Sequence, residues 1–195
     1  MDPAELGAHL RALYEDQDEN QRRDYGQSLP FADGLLDRWE RARRLGFGDD
    51  ANIYNSALVY GDVTVGRGTW VGPYTLLDGT GGGLSIGDYC SISADVQIYT
   101  HDTIMWSLSG GAHEKKTAPV SIGDCCYIGS QSIVAAGTNI GDQCVVAANS
   151  FVNRDVPDRG IVGGSPARPL GRVLVQGDNI SLEYAERATP EATRS

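Results

Sequence analysis

The feature that most limits what this chain can fold into is a branched aliphatic residue at every sixth position. From Ile122 the series runs Ile122, Ile128, Val134, Ile140, Val146, Val152. Upstream it runs Ile53, Val59, Val65, Val71, Leu77 and, after a slip at Gly81–Gly83, Ile86, Ile92, Ile98. A second column lies four places after each aliphatic: Ala57, Val63, Thr69, Thr75, Cys90, Val96, Cys126, Ser132, Thr138, Cys144, Ser150 and Val156, none larger than valine. Glycine often follows the aliphatic, as at Gly66, Gly72, Gly87, Gly123, Gly129 and Gly141. A helix repeats near 3.6 residues and a strand at 2, so neither alone gives a period of six. A short strand and a tight corner do: the aliphatic points inward, a small residue fills the corner, and glycine or a small polar residue takes the turn. Two columns held in register predict an all-β solenoid, three six-residue sides to each triangular coil.

The totals bound the rest. The 195 residues suit one domain with a helical appendage. A net charge of −10 argues against nucleic acid or an anionic membrane as partner of the whole surface. No stretch approaches the roughly 18 apolar residues of a spanning helix, so no membrane insertion is expected. The opening Met1-Asp2-Pro3-Ala4-Glu5 lacks the basic–apolar–small pattern of a signal peptide, which makes a cytoplasmic location the expectation. Cys90, Cys126 and Cys144 fall in the small inward column, where free cysteine packs as a small hydrophobe, and Cys125 should point the other way. No clustered His and Cys ligands at metal spacing occur, so no metal is expected.

Residues 1–50 do not follow the repeat and read as an N-terminal helical cap. Leu6, Leu10 and Leu13 suit an amphipathic helix over Ala4–Asp18. Phe31–Leu45 reads as a second helix with Leu35, Leu36, Trp39, Ala42 and Leu45 on one face and Asp33 capping its start. The opposite face carries Arg38, Arg41, Arg43 and Arg44, read as solvated, or as a contact for a phosphate-bearing acceptor or a neighbouring subunit. Such a cap would cover the first coil, which otherwise exposes an unpaired edge. The solenoid itself is expected over 51–172, with the glycines after Asp78 as a corner insertion. An extended loop leaves it at about 100–119, with His101 at its root. A loop of that length inside a compact repeat is usually functional or disordered. Residues 173–195 read as a C-terminal tail, with a strand or short helix over Arg172–Arg187 and a frayed end at Ala188–Ser195.

Three stretches carry a family likeness: Ile122-Gly123-Asp124-Cys125-Cys126-Tyr127-Ile128-Gly129-Ser130, Val146–Pro157, and Gly164-Ser165-Pro166-Ala167-Arg168. With the loop after His101 they resemble the hexapeptide-repeat acyltransferases, in the branch that holds galactoside, maltose, Nod-factor and capsular-sugar acetyltransferases. The resemblance spans about Ile53–Arg172. It implies a left-handed parallel β-helix, against the usual right-handed crossover rule, a homotrimer with active sites between subunits, and acetyl-CoA as acyl donor. In that branch the catalytic histidine stands just before the extended loop, the place of His101. Positions matching Ser130, Ala148 and Asn153 lie along acetyl-CoA, and basic residues after the Pro-Ala signature meet its phosphates, which points to Arg168 and Arg172, with Arg154 a further candidate. The first 50 residues do not resemble the cap of the maltose and galactoside enzymes and are too short for the helical domain of serine acetyltransferases. That tilts the expected acceptor toward a sugar or sugar nucleotide of surface-polysaccharide synthesis.

The chemistry agrees with this assignment. Acyl transfer from a thioester to a hydroxyl or amine needs a base for the acceptor proton and a donor for the oxyanion. Histidine suits the first task at neutral pH. His101 is therefore expected to be the base in a direct attack on the thioester, with Asp102 or a backbone carbonyl orienting the ring and a backbone N–H across the subunit boundary meeting the oxyanion. Asp78, Tyr99, Asp102 and Trp106 are the candidates for lining the acceptor site. The alternatives are a non-catalytic hexapeptide scaffold and an acyltransferase with a non-sugar acceptor. A zinc carbonic anhydrase on the same solenoid is set aside, because only His101 and His113 lie outside the cap.

Overall fold

In the computed structural model, which describes residues 2–185, the six-residue rhythm becomes three parallel sheet faces. On the first face Ile53, Val71, Ile92, Ile128, Val146 and Val162 stack in register, one per coil. Val59, Leu77, Ile98, Val134 and Val152 stack on the second. Val65, Ile86, Ile122, Ile140 and Val156 stack on the third. Apart from the partly buried Val59, all of these are buried in one core. Each fully buried aliphatic contributes about 1.5–3 kcal/mol relative to exposure, so the rhythm is the main stabilising term of the coil.

The corners work differently from the expectation. The left-handed backbone conformation falls three places after the aliphatic, at Tyr74, Tyr89, Asp95, Cys125, Gln131, Gln143 and Asn149, with φ between 53° and 62°. Cys125 therefore sits in a turn, exposed, and not in a strand. The glycines directly after the aliphatics serve close packing. A methyl group at Gly129 would lie 2.5 Å from the backbone nitrogen of Ala148 in the next coil, and one at Gly87 2.8 Å from the carbonyl carbon of Gly123.

The small inward column is also more than filler. At the corner between third and first faces, Thr69, Cys90, Cys126 and Cys144 form a ladder. The first three each accept the backbone N–H of the next: 2.9 Å from Cys90 N to Thr69 Oγ1, then 3.4 Å to the sulfurs of Cys90 and Cys126. Each also donates to a carbonyl of the next coil, Cys126 to Gly141 at 3.0 Å. The neighbouring thiols Cys144 and Cys90, with burial, push the Cys126 thiol well above its usual range. These cysteines act as polar corner links.

The N-terminal region is α1 (Pro3–Tyr25), α2 (Phe31–Leu35) and α3 (Arg38–Arg44). The expected single helix over Phe31–Leu45 is split, because Leu36 is extended and Asp37 caps a new start, accepting the N–H groups of Trp39 and Glu40 at 3.1 and 3.0 Å. Asp33, expected as the cap, is buried and accepts the N–H of Ser56 at 2.7 Å. Arg41 does not face solvent. It donates to the carbonyls of Tyr54 and Ala57, and its burial lowers the guanidinium's pKa. The helices thus satisfy the open end of the first coil. At the other end, Gly160–Gly163 pairs antiparallel with Arg168–Gln176, which pairs with Asn179–Tyr184. Of the expected strand or helix over Arg172–Arg187, the strand is found, as the two strands of this hairpin. Residues 186–195, including Arg187 and the expected frayed end, lie outside the described residues.

Candidate active site

Both breaks in the six-residue rhythm converge on one corner, between the second and third faces. The first is the glycine insertion. Gly61 pairs with Gly79 and Val63 with Leu84, so Asp62 alone faces the four residues Thr80–Gly83. The second is the excursion after Tyr99. His101–Asp102 pairs antiparallel with Lys116–Thr117, and between them α4 (Ile104–Leu108) forms a single exposed turn. The two insertions touch. A methyl group at Gly81 would lie 2.6 Å from the carbonyl carbon of Thr100 and 2.9 Å from Cβ of His101. Glycine at 81 lets the inserted backbone lie against the root of the loop.

That contact brings Asp78 to His101. Asp78 lies within the strand Leu76–Ile86 one coil earlier, directly beside Tyr99. Its Oδ2 lies 2.9 Å from Nδ1 of His101, whose side chain keeps 32% of its surface exposed. Its Oδ1 accepts the backbone N–H of Thr80 at 2.9 Å and the Thr80 hydroxyl at 2.6 Å. Thr100, fully buried, donates from Oγ1 to the carbonyl of Asp78 and accepts the N–H of Gly81, both at 2.8 Å. A buried carboxylate with several donors replaces the water it lost. With Nδ1 facing Asp78, Nε2 is left as the ring nitrogen free to receive a proton.

The other expected site residues fall into four groups. Asp102 does not orient the ring; its Oδ1 accepts the N–H of Ile104 at 3.1 Å. Asp78, expected among the acceptor-lining residues, is buried beside the imidazole instead. Tyr99 donates its hydroxyl to Gln97 at 2.7 Å. Trp106 is exposed on α4, with Nζ of Lys115 5.8 Å above its ring. Asn153, Arg154 and Arg168 line one groove of ≈ 200 Å³ with Val152, Val156 and Ala167. This groove lies at the same corner as His101: the strand Gln97–Tyr99 pairs with Ile133–Val134, which pairs with Phe151–Val152. Two strand spacings are about 10 Å. Ser130 and Ala148 sit at the opposite end of the second face, between the first-face strands ending at Ile128 and Val146 and the second-face strands that follow. Within one chain they are not brought to His101. Arg172 pairs with Glu183 on the hairpin, 2.7 Å away and exposed.

Sequence reasoning missed Thr80 and Thr100 and misplaced Asp78. The signal for Asp78 was available in the coil arithmetic, which sets it beside Tyr99 at the loop root. Thr80 was hidden by the glycines around it.

The profile of the family described as the hexapeptide repeat of succinyl-transferase matches residues 119–154. The carnitine operon protein CaiE of Salmonella agona is 32% identical over 135 residues, 65% of this chain and 67% of the relative. WcaF of Escherichia coli, named as a colanic acid biosynthesis acetyltransferase, is 32% identical over 101 residues, 43% of this chain and 56% of the relative. The chain spans 45% of the acetyltransferase YvoF of Bacillus subtilis and 33% of YJL218W of Saccharomyces cerevisiae, so it covers only part of the length of several curated relatives. Among solved structures, AntD, an N-acyltransferase from Bacillus cereus in complex with dTDP and 3-hydroxybutyryl-CoA, superposes with a TM-score of 0.58. It is 24% identical, over 70% of this chain and 90% of that one, and shows a shared fold.

Proposed function

This chain belongs to the hexapeptide-repeat acyltransferase family, and from that premise we propose that it transfers an acetyl group from acetyl-CoA to a hydroxyl or amine of a sugar or sugar nucleotide. The observation that carries the reading is the imidazole of His101, held by buried Asp78 at the one corner where both insertions meet. Nε2 of His101 takes the acceptor proton as the acceptor oxygen or nitrogen attacks the thioester carbonyl. The tetrahedral intermediate then collapses, the C–S bond breaks, and the CoA thiolate recovers the proton from the imidazolium. Asp78 keeps the ring in the reactive tautomer and stabilises its charged form. No covalent enzyme intermediate is involved.

Acetyl-CoA lies along the same corner, its thioester at His101 and its phosphates toward Arg154 and Arg168. The solenoid is a left-handed β-helix, and three copies assemble with the sites between them. Support for a neighbouring subunit comes from α4, where Ile104, Met105, Trp106 and Leu108 are 61, 53, 45 and 78% exposed beside His101. The acceptor class is supported by the likeness to WcaF, named for colanic acid biosynthesis, and by the dTDP bound to AntD.

The test is a thiol-release assay with acetyl-CoA against sugars, amino sugars and nucleotide-linked sugars, with the His101→Ala variant beside it. Acceptor-dependent release that falls about 10²- to 10⁴-fold in the variant is expected. Near-wild-type turnover removes His101 as base. Silence across the panel with no CoA binding by calorimetry favours a non-catalytic scaffold.

A further inference from the structure

We propose that Thr80 is a positioning residue that fixes a proton on Nδ1 of His101 and so keeps Nε2 open as the base; this rests on the reading of His101 given above. The argument starts from donor counting. An ionised carboxylate only accepts hydrogen bonds, and a threonine hydroxyl has one hydrogen to give. Thr80 commits that hydrogen to Oδ1 of Asp78, at 2.6 Å, the shortest contact of the carboxylate. Its backbone N–H adds a second donor to the same oxygen, at 2.9 Å. Oδ2 is then left for the imidazole, 2.9 Å from Nδ1.

The threonine oxygen also faces the ring, 3.3 Å from Nδ1. With its hydrogen committed to Asp78, it meets Nδ1 with lone pairs only. Two acceptors, Oδ2 and Oγ1, therefore converge on Nδ1, and a neutral ring satisfies both only by carrying its hydrogen there. Free imidazole side chains in water favour the other tautomer, so the local network has to set the preference. The backbone behind the network is held as well: Thr100 Oγ1 bridges the carbonyl of Asp78 and the N–H of Gly81, the two sides of the Gly79–Thr80 segment. Thr80 itself is exposed, and among the described residues its side chain has no other side-chain hydrogen-bond partner than Asp78 and His101. Nothing in coil packing calls for a hydroxyl at this position.

The experiment reads the proton directly and needs no acceptor. The chain has three histidines, His9, His101 and His113. Long-range ¹H–¹⁵N spectra of histidine-labelled full-length protein, at about pH 8.5 where free imidazole is neutral, separate the two tautomers. The His101→Ala variant assigns the signal. In wild type and in Thr80→Ser, His101 is expected to carry its hydrogen on Nδ1. In Thr80→Val, the same shape without the hydroxyl, the tautomer ratio should move about two- to tenfold toward Nε2–H, as loss of the neutral Oγ1 acceptor facing Nδ1 implies. An unchanged ratio in Thr80→Val overturns the proposal. So does a serine variant that behaves like the valine one, because the hydroxyl is then not what matters.

Kinetics with the acceptor found by the panel separate positioning from substrate contact. Thr80→Val should lower kcat with both KM values within about twofold, and should add no further loss to Asp78→Asn. A raised KM with unchanged kcat overturns positioning in favour of contact. Full thiol release in His101→Ala sinks the base assignment; a dead His101→Ala beside a fully active Thr80→Val sinks the Thr80 proposal alone.

Discussion

Asp78 reaches across one coil to hold His101, with Oδ2 2.9 Å from Nδ1. Asp102, the neighbour in sequence, turns its carboxylate to the N–H of Ile104 instead. The two aspartates should therefore separate cleanly. Asp78→Asn keeps the shape, but its amide can donate to Nδ1 and so place the ring hydrogen on Nε2. Turnover should fall about 10³- to 10⁴-fold, as for the corresponding change in a Ser-His-Asp triad. Asp102→Asn should stay within about threefold. Steady-state thiol release measures both, and equal losses in the two variants would refute the assignment of the ring partner.

The basic residues divide in the same way. Arg154 and Arg168 share a groove at the corner of His101, whereas Arg172 is paired with Glu183 on the hairpin. Charge reversal at Arg154 or Arg168 is expected to raise KM for acetyl-CoA about tenfold or more while kcat changes little, the pattern of lost ground-state binding. Arg172→Glu breaks an exposed pair worth about 0–1 kcal/mol and should leave that KM unchanged. Calorimetry with CoA checks the same ordering without an acceptor. If Arg172→Glu alone weakens CoA, the phosphates lie over the hairpin.

The fold was legible because burial at one residue in six is a local property of the chain. Ile53, Val71 and Ile92 need only their spacing to declare a common face, and the phase slip at Gly81–Gly83 and the gap after Ile98 declare where the coil is interrupted. His101 was legible for the same reason, as a titratable residue at the edge of an interruption. Its partner was not. Asp78 belongs to a different interruption, and only the contact of Gly81 with Thr100 and His101 joins the two. That contact depends on how an extra strand segment bulges past Asp62, which spacing does not encode. The break between α2 and α3 was missed because apolar periodicity continues across Leu36, while the capping carboxylate of Asp37 decides the local geometry.

Close stacking of coils makes a further prediction about glycine. At Gly129 a methyl group would meet the backbone nitrogen of Ala148 at 2.5 Å, and backbone cannot step aside as a flexible side chain can. Gly129→Ala should cost about 1–3 kcal/mol, the range for overpacking a well-filled interior. Gly7, on the exposed helix α1, has among the described residues only the side chain of Arg11 near it, at 3.7 Å. Gly7→Ala should be neutral or stabilise by up to about 1 kcal/mol. Denaturant midpoints for the two variants test this, and equal effects would mean that the coil spacing is softer than the contacts imply.

The cysteine ladder makes the last. If Cys126 were only a small apolar filler, valine would replace it at little cost. In the structure its sulfur accepts the N–H of Cys144 at 3.4 Å and donates to the carbonyl of Gly141 at 3.0 Å. Valine leaves the buried N–H of Cys144 and the part-buried carbonyl of Gly141 without this partner, so Cys126→Val should lose about 1–3 kcal/mol. Serine keeps a donor and acceptor, as Ser132 and Ser150 do at the next corner, and should lose less. Thiol chemistry gives a second readout. Cys125 is the exposed cysteine, and burial, with Asp124 beside it, raises its pKa. A raised pKa means less thiolate at a given pH. Native protein should therefore react at Cys125 alone, more slowly than a free thiol near pH 8, and speed up as pH rises beyond the ordinary thiol range. Cys90, Cys126 and Cys144 should react only on unfolding. Rapid labelling of more than one thiol in the native state would show that the ladder opens, and that the corner hydrogen bonds do not hold the coil as described.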